Sequence, residues 1–74
     1  MARQFHITNN IRTLRFFANE MTQQALAERA GVSRQTINAI EAGKYSPSLE
    51  LAFRIADAFE VSIGEVFQCE IKGE

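Results

Sequence analysis

The chain has few of the residues from which disulfides, metal centres and catalytic sites are built. Its 74 residues include one cysteine (Cys69), one histidine (His6), one proline and no tryptophan. One cysteine cannot form an intrachain disulfide, and a histidine and a cysteine so far apart do not match the ligand spacing of a zinc site. No glycine-rich phosphate loop and no nucleophile–base set can be recognised. We therefore expect no metal, no cofactor and no enzymatic activity.

Long apolar runs are also absent. No stretch of about 18 apolar residues exists, and the first ten residues, MARQFHITNN, lack the apolar segment of a signal peptide. The sequence therefore predicts neither a membrane-spanning helix nor secretion, and we expect a cytoplasmic protein. Its length suits one domain, residues 1–74, near the lower limit for a self-sufficient core.

Charge is unevenly distributed along the chain, although the net charge is only −1. Residues 1–44 carry six basic and three acidic side chains, a net charge of +3. Residues 45–74 carry two basic and six acidic side chains, a net charge of −4. This polarity suits a molecule with one side turned towards nucleic acid. A solvated surface of mixed charge is the alternative, and charge alone does not decide between them.

The segment TQQALAERAGVSRQTINAIEAGKY predicts two short helices joined by a tight turn. Thr22 and Ser33 can each cap a helix with a hydroxyl oxygen, and Gly31 lies where the turn needs a residue that tolerates positive φ. Ile37 and Ile40 lie about one turn apart and share the inward face of the second helix. This spacing is that of a helix-turn-helix, whose second helix lies in a DNA major groove.

The rest of the chain predicts three more helices and two terminal strands. Alternating apolar and polar residues predict strands over 5–8 and 67–72, which could pair antiparallel. Helices are expected over 10–19, from a cap at Ser48, and over 63–67. The apolar side chains expected to face the core from the first and fourth helices are Ile11, Leu14, Phe17, Ala52, Ile55, Ala56 and Phe59.

With these residues in place, the chain resembles the Cro/cI-type (XRE) helix-turn-helix family, especially its short single-domain members. Six residues, 16–21, separate the first two family motifs, one more than the commonest spacing. The resemblance implies a mainly α, five-helix DNA-binding domain of the lambda-repressor type, with its helix-turn-helix at 22–45 and a small two-stranded β-ribbon from the termini. The motifs are IRxLR from Ile11, TQxxLA from Thr22, GVSRQTIxxIExGKYxPSLxLAxxIA from Gly31, and VSIxEVF ending at Phe67.

The resemblance also implies a set of DNA contacts. The positions that match base-facing residues of the family are Arg34, Gln35, Asn38 and Ala39. The positions that match backbone-contacting residues are Gln23, Thr36, Lys44 and Tyr45. Helical geometry agrees for the base-facing set, because at about 100° per residue it fans out opposite the two inward isoleucines. The alternative is an exposed polar helix face, and for the last two positions a solvated loop.

Several other residues fit structural roles better than DNA contact. Arg12 and Arg15 are expected to face solvent or form ion pairs, and Cys69 is expected to serve packing on an apolar strand face. The six phenylalanines are expected in the core or in a dimer interface. Surplus apolar side chains near the C-terminus predict dimerisation there, through Val61, Ile63, Val66, Phe67 and Ile71.

The function implied is that of a sequence-specific DNA-binding transcriptional regulator, a repressor that binds a two-fold operator as a homodimer. One subunit would present one recognition helix to one half-site, which gives too few contacts for useful discrimination. Double-stranded DNA and a second copy are the expected partners, without a membrane or a small-molecule ligand. The alternative is an antitoxin-like module that masks a partner protein. Such a module would carry a long tail after the fifth helix, whereas seven residues follow Phe67.

Overall fold

The computed structural model describes residues 3–73. Within this range the chain forms five helices and a two-stranded antiparallel sheet, which confirms the predicted element types. The elements, in chain order, are β1 (Gln4–Asn9), α1 (Ile11–Phe17), α2 (Gln23–Ala30), α3 (Arg34–Glu41), α4 (Leu49–Phe59), α5 (Ile63–Val66) and β2 (Phe67–Lys72).

The core is aliphatic and lies between the helices. Ala52, Ile55 and Ala56 of α4 are buried as predicted, while Leu14 and Phe59 are partly buried against the same cluster. The largest fully buried side chains are Ile11, Leu26, Ile37, Ile40, Ile55 and Val66. Every helix therefore contributes at least one side chain to a single hydrophobic cluster.

The prediction that Phe17 faces the core is wrong. Its side chain is 77% exposed and packs edge-on against Phe16, with 5.3 Å between ring centroids. At about 100° per residue, Phe17 lies about 120° around the helix from Ile11, whereas Ala18 lies about 20° from it. Ala18 is half-buried accordingly. The core face of α1 thus runs through Ala18 and leaves the two phenylalanines outside.

The connection between α1 and α2 contains two residues in the left-handed conformation. Asn19 has φ 62° and Glu20 has φ 57°. These values end α1 at Phe17, two residues before the predicted end, and turn the chain back so that the Met21 N–H donates to the Arg15 carbonyl oxygen at 2.9 Å. The reversal of the chain is therefore completed in this turn, before α2 begins.

The two strands form a ribbon with one apolar and one polar face. Cross-strand pairs place Phe5 opposite Ile71 and Ile7 opposite Cys69, and these four residues define the apolar ribbon face. Phe5 is 64% exposed, and Ile7 and Ile71 are about half exposed. The thiol of Cys69 is also exposed, so within the described residues it does not serve the packing expected of it. The other face carries polar residues: Gln4, His6, Thr8, Gln68, Glu70 and Lys72.

The apolar residues near β2 differ in burial, and most of those predicted to form a dimer surface pack on the core instead. Val66 is 0% exposed and belongs to the core, since the short helix α5 turns it inwards. Val61, Ile63 and Phe67 are partly buried against the same core. Of the apolar side chains expected to be in surplus there, Ile71 is the one that remains largely exposed.

Two asparagines join the ribbon to the helices. The Asn9 amide nitrogen donates to the Ile40 carbonyl oxygen at 3.1 Å, and its amide oxygen accepts from the Ile11 N–H at 3.1 Å. The Asn10 N–H donates to the Val66 carbonyl oxygen at 2.8 Å. Asn9 therefore satisfies backbone groups at the start of α1 and at the end of α3 together, which fixes these two helix ends relative to each other.

Candidate nucleic-acid interface

Two capped helices and a glycine turn position the candidate interface. The Thr22 hydroxyl accepts from the Ala25 N–H at 3.0 Å, and the Ser33 hydroxyl accepts from the Thr36 N–H at 3.2 Å. Both predicted caps are therefore confirmed. Gly31 adopts φ 77°, and its N–H donates to the Ala27 carbonyl oxygen at 2.8 Å. Glycine suits this position because most side chains are strained in the left-handed region, and a Cβ here would also lie 3.1 Å from Nη1 of Arg54.

The helix α3 divides into a buried and an exposed face. Ile37 and Ile40 are 0% and 2% exposed, as predicted from their spacing. Arg34, Gln35 and Asn38 are exposed, and Ala39 is half-buried beside them. We refer to these last four residues as the polar α3 face. The structure brings the predicted base-facing set together on one exposed surface, with the apolar residues of the helix holding it from behind.

Gln23 lies at the first position of α2 and contacts the polar α3 face directly. Its Nε2 donates to Oδ1 of Asn38 at 3.3 Å. The two amides were expected in different roles, one at the DNA backbone and one at the bases, and their contact was not predicted. Because the Asn38 oxygen accepts this hydrogen bond, its Nδ2 hydrogens remain available to a ligand. Asn38 therefore presents its Nδ2 hydrogens and the second lone pair of Oδ1 to the surface.

The remaining predicted backbone contacts flank α3 at its two ends. The Thr36 hydroxyl lies 3.0 Å from that of Ser33, at the start of the helix. At the other end, Gly43 adopts φ 77° and the Lys44 N–H donates to the Ala39 carbonyl oxygen at 2.9 Å. This Schellman-type ending fixes the backbone from which the Lys44 side chain extends. Tyr45, the next residue, is 51% exposed.

A partly buried ion pair ties the last residue of α3 to α1. Arg15 donates from Nε and Nη2 to the Glu41 carboxylate at 3.0 and 2.9 Å, and from Nη1 to the Met21 carbonyl oxygen at 2.9 Å. Of the two roles expected for Arg15, facing solvent or forming an ion pair, the structure shows the ion pair, and the sequence did not identify its partner. Its guanidinium fork matches the planar carboxylate, as in other bidentate pairs. Arg15 therefore belongs to the scaffold of the interface.

Neither a metal-binding cluster nor a membrane-spanning helix is found among the described residues. Across residues 3–73, no group of three or more His, Cys, Asp or Glu side chains is placed to hold a metal ion. In the same range, no helix combines the length and apolar character needed to cross a membrane.

Comparisons with known proteins agree with this geometry. The family profile described as "Helix-turn-helix" matches residues 11–66. An uncharacterized HTH-type transcriptional regulator of Methanocaldococcus jannaschii is 59% identical over 49 residues, which cover 66% of this chain and 74% of that protein. One from Methanothermobacter thermautotrophicus is 68% identical over 38 residues, covering 51% of this chain and 55% of its own length. The uncharacterized HTH-type transcriptional regulator YgzD of Bacillus subtilis is 49% identical over 49 residues, which cover 66% of this chain and 74% of that protein.

The matched region runs from the first residue of α1 to the last residue of α5, so it contains the polar α3 face, both helix caps and the Arg15–Glu41 ion pair. The two strands of the terminal ribbon lie outside it. The chain therefore belongs to the Cro/cI-type (XRE) family of helix-turn-helix DNA-binding regulators.

Proposed function

We propose that the protein is a transcriptional repressor that reads DNA sequence with the polar α3 face and binds a two-fold operator as a homodimer. The observation that carries this proposal is the exposure of Arg34, Gln35 and Asn38 on a helix held by buried Ile37 and Ile40. A helix fixed in this way can enter a major groove about 12 Å wide without losing its own packing.

Each side chain of the polar α3 face suits a different base edge in the major groove. Arg34 can donate both prongs of its guanidinium to O6 and N7 of guanine, and Gln35 can pair with N6 and N7 of adenine. Asn38, whose oxygen accepts from Gln23, suits an acceptor such as guanine O6 or thymine O4. The small Ala39 allows apolar contact with a thymine methyl group. Together the four would read a short half-site.

Four flanking residues would hold the sugar-phosphate backbone. Gln23 opens α2, where free backbone N–H groups and the helix dipole favour an anion. Thr36 lies at the start of α3, and Lys44 and Tyr45 lie just beyond its end. Contacts to the backbone on both sides of the reading helix would fix its register without specifying sequence.

The apolar ribbon face supports a homodimer. A two-stranded sheet is marginally stable unless one face is packed, and Phe5, Ile7 and Ile71 are all about half exposed or more. This face continues outward from Phe67, which already packs on the core. A second copy is the occupant that suits it, because a two-fold axis pairs a patch with itself. Two subunits would then place two recognition helices about 34 Å apart.

Repression would follow from occupancy, since a bound dimer excludes polymerase from the same DNA. We infer that residues 1–74 act as one DNA-binding unit, that its helices take the five-helix arrangement of Cro/cI-type repressors, and that it works in the cytoplasm.

Selection of binding sites from a pool of random duplexes tests the proposal. We expect enrichment of a short sequence repeated with two-fold symmetry, its half-sites centred about one helical turn apart. Failure to enrich any sequence would contradict the proposal and would favour the alternative of a module that masks a partner protein.

A further inference from the structure

Arg12, the second residue of α1, lies between two clefts that border the candidate interface. One cleft of about 310 Å³ has Arg12 on one wall and Asn38 and Ala42 on another. The second, of about 270 Å³, has Arg12 on one side and Thr22, the cap of α2, on the other. Arg12 therefore stands beside both the polar α3 face and the start of α2, which are the parts of the surface proposed to meet DNA.

Among residues 3–73, the guanidinium of Arg12 is not held in an ion pair. Glu41 and Arg15 also line these clefts, but each neutralises the other in the bidentate ion pair. Within residues 3–73, Arg12 forms no ion pair within 4.0 Å. Glu20 is the other charged residue of the second cleft, and it also forms no ion pair there. The side chain of Arg12 is exposed, so its positive charge faces solvent.

The cleft beside α3 is otherwise lined by groups that tolerate an anion. Thr13 is exposed on the same turn of α1. The Asn10 amide nitrogen donates to the Glu65 carbonyl oxygen at 3.2 Å, which holds that side chain against α5. The net charge of this cleft is therefore set by Arg12.

We propose that Arg12 binds a DNA phosphate at the edge of the half-site, beside the phosphate held at the start of α2. This inference rests on the proposed function. A duplex whose major groove receives α3 must pass its backbone along the flanks of that helix, and Arg12 lies on such a flank next to Asn38. An arginine offers the planar fork that phosphate oxygens accept in a bidentate manner. The contact would add affinity and register, without reading sequence.

The test compares Arg12→Ala with Arg29→Ala, a variant that removes the same charge elsewhere. Arg29 lies in the last turn of α2, and its guanidinium donates to the Ala58 carbonyl oxygen of α4 at 3.3 Å. Both variants are titrated against the selected operator and against a random duplex at several salt concentrations. Melting temperatures are measured in parallel, because Arg12 is exposed and its removal should leave folding intact.

For Arg12→Ala we expect about a 10-fold loss on both duplexes at low salt, and a salt slope that falls by about one per subunit. Arg29→Ala should leave the salt slope unchanged. An unchanged slope for Arg12→Ala, with operator binding intact in the native chain, would overturn the assignment of Arg12 and leave the proposed function standing. If the native chain binds the selected operator no more tightly than a random duplex, the result counts against the proposed function. The assignment of Arg12 to a phosphate is then contradicted as well.

A second measurement locates the phosphate. Each phosphate of the operator is replaced in turn by a neutral methylphosphonate, and the native chain is compared with Arg12→Ala. At one phosphate per half-site, outside the bases read by α3, neutralisation should weaken the native chain about 10-fold and leave Arg12→Ala unaffected. If the two proteins lose the same affinity at every position, Arg12 does not bind a phosphate.

Discussion

Arg15 and Glu41 are 26 positions apart in the chain and form a two-pronged ion pair, Nε to Oε1 at 3.0 Å and Nη2 to Oε2 at 2.9 Å. Their side chains are 17% and 12% exposed. The pair joins the middle of α1 to the last residue of α3, while the same arginine holds the Met21 carbonyl oxygen ahead of α2. The orientation of the polar α3 face is therefore supported by a contact that the last residue of this helix makes with α1.

Breaking this ion pair should destabilise the fold. Arg15→Ala or Glu41→Ala should each lower the free energy of unfolding by about 2–3 kcal/mol, between the effects for exposed and fully buried pairs. Most of that loss comes from the charge left without its partner. The double substitution should therefore cost less than the two single losses added together. Urea unfolding of all four proteins checks this, and strictly additive losses would show that the two charges are not coupled.

The two faces of α3 should separate stability from recognition. Ile37→Ala should lower the free energy of unfolding by roughly 2–4 kcal/mol, because it leaves a cavity where a fully buried side chain stood. Gln35→Ala, on the exposed face, should leave the melting temperature nearly unchanged and weaken operator binding. Thermal melts with operator titrations decide the matter. Unfolding of the Gln35→Ala protein would mean that the faces are assigned the wrong way round.

Substitutions of Arg34 and Lys44 should weaken DNA binding in different ways. Arg34 is exposed in the first turn of α3 and can bind a guanine edge, so Arg34→Ala should cost about 1–3 kcal/mol per half-site and relax the preference at one base pair. Lys44 extends from the loop after Gly43, where a flexible charge suits a phosphate. Lys44→Ala should weaken operator and random DNA alike and lower the salt slope by about one per subunit. If Arg34→Ala loses the same affinity for operator and for random DNA, Arg34 binds a phosphate rather than a base.

Substitutions at two neighbouring residues of β1 test the proposed homodimer. Ile7 lies on the apolar ribbon face, and His6, next to it, lies on the polar face opposite Glu70. Ile7→Lys places a charge in the proposed interface and should give a monomer in sedimentation at micromolar concentration, where the native chain is a dimer. His6→Lys adds the same side chain to the other face and should remain dimeric. A native chain that is monomeric, or an Ile7→Lys dimer as tight as the native one, would contradict this interface.

Features set by neighbours along the chain could be predicted from the sequence. The caps at Thr22 and Ser33 and the left-handed Gly31 all depend on hydrogen bonds within four residues. The same local spacing predicted the inward faces of α3 and α4. The pairing of the terminal strands also followed, because both show the alternation of a half-buried strand.

Features set by packing between distant segments could not be predicted. The left-handed conformation of Glu20 has no signal in its residue type, so the end of α1 was missed. Gln23 meets Asn38 because two helices cross there, and the Arg15–Glu41 pair has the same origin. The burial of Val66 depends on how α5 settles on the core. In each case the deciding contact comes from another element of the fold.

The central claim is that α3 reads the half-site sequence while the ribbon sets the two-fold repeat. Selection from one random duplex pool with the native chain, Gln35→Ala and Ile7→Lys tests this most directly. The native chain should enrich a two-fold motif, Gln35→Ala should keep its spacing but lose preference at one base pair per half-site, and Ile7→Lys should retain the half-site without the repeat. Enrichment of the same motif by Gln35→Ala as by the native chain would contradict the claim that this helix face reads DNA.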